Sequence, residues 1–89
     1  MSPMSEIKKT VVGKVEHFYP KIGVVVVTLE APLQVGDKIF VEGKTTHFEQ
    51  IVESMQIEKV NIQRADKGQS IGLKVVDKAK EGDIVFKLE

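Results

Sequence analysis

The sequence has no cysteine, only three prolines, no excess of either charge and no long apolar run. Each absence excludes something. Without cysteine there is no disulfide framework, no cysteine-based zinc site and no thiol chemistry. Thirteen basic and thirteen acidic residues cancel, which argues against strong non-specific binding to nucleic acid, an electrostatic property that accompanies a basic excess. No segment reaches the ~18 consecutive apolar residues of a membrane span. Met1 to Lys9 is short and polar, with no apolar signal-peptide core. These features predict a cytoplasmic protein with no membrane partner. The 29% of charged residues fits a thermophile-like composition.

What remains is 42% apolar residues in a chain of 89, enough for one small globular domain. A core of this size buries only about 60–65% of the unfolded chain's surface, so function is expected on the outside. Residues 1–8 read as a frayed tail and 9–89 as one domain. Strand-forming stretches succeed one another from Lys9. Val11, Gly13, Val15 and His17 are assigned to one face of the first, with Val12, Lys14, Glu16 and Phe18 on the other. Tyr19-Pro20-Lys21 is a turn, Ile22 to Leu29 the strongest strand, and Lys38 to Glu42 another. Ser70 to Val76 and Asp83 to Leu88 complete the set. Residues 47–57 fit either a helical face through Phe48, Ile51, Val52 and Met55 or an extended chain. Strand neighbours and the lack of a helix cap favour strand. Six to seven short strands punctuated by Gly and Pro predict an all-β fold, a small antiparallel barrel, closed or nearly closed.

No catalytic constellation emerges. Gly43-Lys44-Thr45-Thr46 has the tail of a phosphate-binding loop, but the glycine required at position 38 is Lys38, so a polar hairpin turn is expected and no nucleotide. His17 and His47 lack metal-ligand spacing, so no metal is expected. Glu49, Glu53 and Glu58 read as a solvated acidic face, and the serines lie in no nucleophile-elbow pattern. No cofactor is implied. Two surfaces stand out instead. Lys14, His17, Tyr19 and Lys21 surround the first turn, where cations and an aromatic suit phosphate contact and base stacking. The run from Ile22 to Leu29 is apolar on both faces, which requires an outer cover: the chain itself, or a partner meeting Val25, Val27 and Leu29.

Five segments in order carry a resemblance. Gly13-Lys14-Val15 is similar to the opening Gly-Arg-Val of the barrel that comes after the GTPase domain in elongation factor Tu and its relatives. Leu33-Gln34-Val35-Gly36-Asp37-Lys38-Ile39 resembles that family's Val-Gly-Asp turn and strand. Phe48 to Ile57 sits where the family has a strand running toward the barrel centre. Lys67-Gly68-Gln69-Ser70-Ile71-Gly72-Leu73 is similar to its Ala-Gly-Asp-Asn-Val-Gly-Leu segment, and Glu81-Gly82-Asp83-Ile84-Val85 to its closing strand. The longer stretch from Phe18 to Gln34, with Val12-Gly13-Lys14-Val15, a Tyr turn and Val-Gly-Asp, also resembles the small C-terminal barrel of collagenase-like peptidases. The first resemblance implies a non-enzymatic module contacting rRNA or tRNA through Lys14, His17, Tyr19, Lys21, Arg64 and Lys67. The second implies an accessory barrel that docks to a protein or to a second copy through Val25, Val27 and Leu29. Lys14 departs from the family's arginine and supplies a point charge in place of a planar fork.

Overall fold

A computed structural model describes residues 9–88; the expected tail over residues 1–8 lies outside them. The described residues form ten strands and no helix: β1 (Lys9–Tyr19), β2 (Val24–Leu29), β3 (Leu33–Gln34), β4 (Lys38–Glu42), β5 (His47–Ile51), β6 (Met55–Ile57), β7 (Val60–Ile62), β8 (Arg64–Ala65), β9 (Ser70–Lys74) and β10 (Ile84–Leu88). This exceeds the six to seven expected because four of the strands have only two or three residues, too short to register as periodicity. Eight strands make one antiparallel sheet in the order β5-β4-β10-β1-β2-β9-β6-β7, and β3 pairs with β8. The long sheet is not closed into a barrel by a backbone ladder, since β5 and β7 stand at its two ends. The doubtful stretch resolves as β5 and β6, with residues 52–54 between them outside any strand.

The sheet holds one core on its inner face. Val25, Val27 and Leu29 of β2 alternate with half-buried Val24, Val26 and Thr28. Ile39 and Val41 of β4, Ile71 and Leu73 of β9, and Val85 of β10 meet them there, each at most 1% exposed.

Strand β1 breaks the predicted alternation. Its pairing with β10 shifts register between Val11 and Gly13, and its pairing with β2 shifts between Val15 and His17. Strict alternation puts Val12 and Val15 on opposite faces, yet both are buried. Each bulge adds one residue to β1 and re-aims the side chains beyond it, while sharpening the local twist. Thus a strand of eleven residues serves two neighbours around a curved wall.

The β6–β7 hairpin turns through Glu58 and Lys59, whose φ angles are 51° and 66°. A two-residue hairpin of this kind requires positive φ at both central positions and prefers Asn-Gly there. Lys59→Gly is therefore expected to raise stability by about 1 kcal/mol, the scale of the left-handed penalty it removes, read as a higher denaturant midpoint with an unchanged slope.

Candidate functional site

Lys14, His17 and Tyr19 project from β1, Lys21 lies in the turn after it, Arg64 is on β8 and Lys67 in the turn before β9. All six are exposed, but they fall into two groups. Tyr19 pairs with Val24 at the tip of the β1–β2 hairpin. The N–H of Gly68, next to Lys67, donates to the Leu29 carbonyl at the far end of β2 (2.8 Å). A strand of this length separates its ends by roughly 17 Å. Three of the six already have contacts within the chain. His17 Nδ1 lies 3.1 Å from Glu81 Oε2, its ring rests on Tyr19 with centroids 4.3 Å apart, and Arg64 Nε is 3.5 Å from Asp66. The six make no continuous basic track.

Val25, Val27 and Leu29 are 0%, 1% and 2% exposed. They are core residues and cannot meet a partner in the folded chain, which corrects the expected interface. Both faces of the run are apolar, and strand pairing turns inward the face expected to lie outward. Gly43-Lys44-Thr45-Thr46 is the β4–β5 hairpin turn, closed by Gly43 N–H donating to the Thr46 carbonyl (2.9 Å), and no helix comes after it. Its buried neighbour Asp83 accepts the Lys80 N–H at 2.7 Å and packs directly on Gly43. A groove of about 430 Å³ runs between this turn and residues 80–83. The three carboxylates of the acidic stretch do not converge: Glu49 pairs with Lys38 at 3.4 Å, Glu53 lies between β5 and β6, and Glu58 is in the β6–β7 turn. Among the described residues no group of three or more His, Cys, Asp or Glu is placed to hold a metal.

The outward apolar face lies on different strands. The inward side chains of β4 and β10 are Ile39, Val41 and Val85, so Phe40, Ile84, Phe86 and Leu88 lie on the opposite face; there Phe40 is buried by its neighbours at 8% exposure, and the other three are half-buried. Cross-strand pairing then fixes three rows. Leu88 stands between Lys38 and Lys9, Phe86 between Phe40 and Val11, and Ile84 between Glu42 and Lys14. Phe40 and Phe86 stack with centroids 6.3 Å apart, and Lys9 Nζ lies 4.9 Å from the Phe86 ring and 5.4 Å from that of Phe40. His47 meets the other side of Phe40 edge-on at 4.9 Å. Val11 is 41% exposed. The sequence held the signal, since Ile39-Phe40-Val41 and Ile84-Val85-Phe86 are apolar on both faces just as Ile22 to Leu29 is.

The comparisons with known proteins lead away from translation. A protein named as an uncharacterized protease in Methanocaldococcus jannaschii is 38% identical over 86 residues, which is 96% of this chain and 21% of that protein. A collagenase of Porphyromonas gingivalis is 32% identical over 84 residues, 92% of this chain and 23% of that enzyme. The chain thus spans about a fifth of the length of the curated relatives it matches. Among solved structures, the C-terminal domain of a putative U32 peptidase of Geobacillus thermoleovorans superposes with a TM-score of 0.82 at 21% identity, covering 88% of this chain and 91% of that one. Its selenomethionine variant gives 0.79 at 20% identity, covering 84% and 95%. No protein-family model matches the chain. The resemblance to collagenase-like peptidases is supported by these matches, and the resemblance to elongation factor Tu receives no support from them. Among the described residues no helix is long and apolar enough to cross a membrane.

Proposed function

We propose that this chain is a non-catalytic accessory domain of the collagenase-like peptidase type, a small cytoplasmic β-barrel that serves a peptidase by docking to it. One observation carries the reading: nearly the whole chain aligns with about a fifth of two peptidases. The resemblance to a structure described as a C-terminal domain supports the same division, a compact unit beside a larger peptidase. The barrel reading draws support from Gln50, whose side chain links the β5 end of the sheet to the last residue of β9 (2.9 Å) and to Val76 just after it (2.8 Å). Location in the cytoplasm is supported by the lack of cysteine.

The test is a chimera. The matched stretch of the Porphyromonas gingivalis collagenase is replaced by this chain, and cleavage of heat-denatured collagen is measured. Cleavage within a few-fold of the parent enzyme is expected, with at least tenfold loss when the stretch is deleted and nothing replaces it. The 89-residue chain alone is expected to cleave none. Cleavage by the isolated chain, or a chimera as inactive as the deletion, defeats the proposal.

A further inference from the structure

We infer that the outer face built by Val11, Phe40, Ile84, Phe86 and Leu88 is the surface that seats against the catalytic portion of a collagenase-like peptidase. The inference rests on the accessory-domain reading and adds where the contact lies. The five side chains come from three adjacent strands and form one contiguous patch centred on Phe86, which has an apolar or aromatic neighbour on each flanking strand; Phe40 is buried beneath it, and Val11, Ile84, Phe86 and Leu88 supply its accessible surface. Aromatic residues at the middle of a patch with charged residues at its margin are the anatomy of a protein interface. Lys9, Lys14, Lys38 and Glu42 supply that margin here.

Two observations identify the occupant. The curated relatives carry about four fifths of their length outside the matched stretch, so a large peptidase portion must lie beside the domain. In the structural relative the domain is the C-terminal one, so the rest of that peptidase precedes it in sequence. Here Lys9, the first described residue of β1, lies at a corner of the patch. A peptidase portion joined ahead of β1 would approach the domain from this end, where the patch lies. Lys9 lies over both phenylalanine rings and forms no salt bridge with a carboxylate of the described residues, which selects an apolar surface bearing an acidic residue opposite it. The hairpin tip also exposes apolar groups, Tyr19, Ile22 and Val76, but it is remote from this end and serves as the control.

The experiment uses the collagenase chimera, in versions carrying Val11→Glu, Phe86→Glu or Ile22→Glu, with calorimetry and limited proteolysis as readouts. Val11 is exposed enough for its substitution to leave the domain folded, and far-UV circular dichroism of the 89-residue chain checks that for each variant. The chimera without substitutions is expected to unfold in one transition. Val11→Glu and Phe86→Glu are expected to split it into two and to speed cleavage at the domain junction at least tenfold, while Ile22→Glu leaves both unchanged. A single transition in both patch variants, splitting by Ile22→Glu alone, or two transitions without any substitution overturns the inference while collagen cleavage still upholds the accessory reading. A chimera that neither folds nor cleaves overturns both. Should sedimentation show a dimer of the 89-residue chain that Phe86→Glu dissolves, the occupant is a second copy and the assignment to the peptidase is wrong.

Discussion

Gly13→Ala is expected to cost roughly 3 kcal/mol, the upper end of the usual penalty for overpacking a core. Gly13 lies in β1 between Val85 on one side and Leu29 on the other. A Cβ added there would stand 2.5 Å from Val27 Cγ1 and 2.6 Å from the Thr28 carbonyl oxygen. The valine methyl can turn only within a full core. The carbonyl belongs to the β1–β2 ladder and cannot retreat without breaking it. The glycine also sits at the bulge that lets Val12 and Val15 both face inward, so a wider residue strains the curvature as well as the packing. Denaturant unfolding checks this: the midpoint falls while the slope stays near that of the wild type. A midpoint within the error of the wild type defeats the argument. Gly36→Ala is a useful contrast, because an added Cβ there meets nothing within 4 Å and only the φ of +100° opposes it.

Gly13 shows how much of this fold the sequence makes legible. The residue can be singled out within Gly13-Lys14-Val15, but its reason, a close approach of β2, is a tertiary fact. Strand existence is readable where apolar residues cluster, as in β2, β4 and β10, or alternate, as in β9. The two bulges of β1 are not, because alternation carries no mark where one residue is added. The side of a doubly apolar strand is not legible either. Val25 and Val24 are equally good strand formers, and only the pairing of β2 with β1 and β9 decides that Val25 turns inward. The same ambiguity hides the outer face, since Phe86 reads as a core residue until Ile39, Val41 and Val85 are seen to fill the interior. Lysines and aromatics near the first turn are visible in the sequence. Their division between the two ends of the β1–β2 hairpin depends on where the β8–β9 turn docks, which local sequence does not encode.

Gln50→Glu is expected to destabilise the protein by about 2–3 kcal/mol at neutral pH, the scale of leaving buried polar groups without partners, and to recover part of that loss on acidification. Gln50 is a buried polar residue of β5. Its Nε2 donates to the Lys74 carbonyl at 2.9 Å, and its Oε1 accepts the Val76 N–H at 2.8 Å. The side-chain amide thus offers a donor and an acceptor to the flanks of Val75 as a neighbouring strand's peptide group would, and bridges the gap between β5 and the chain around Val75 that no backbone ladder spans. A glutamate has the same length and opens no cavity, so the substitution isolates the hydrogen bonding. An ionised carboxylate still accepts from Val76 but sets a charged oxygen against the Lys74 carbonyl. The protonated form restores a donor toward that carbonyl, so the folded state favours protonation and the glutamate's affinity for a proton rises on folding. By linkage, the variant binds more protons folded than unfolded across that interval, and its stability relative to wild type falls as pH rises through it. Unfolding curves for both proteins from mildly acidic to neutral pH should converge toward the acidic end. Parallel curves would mean that the Gln50 amide fills space without joining β5 to the chain around Val75.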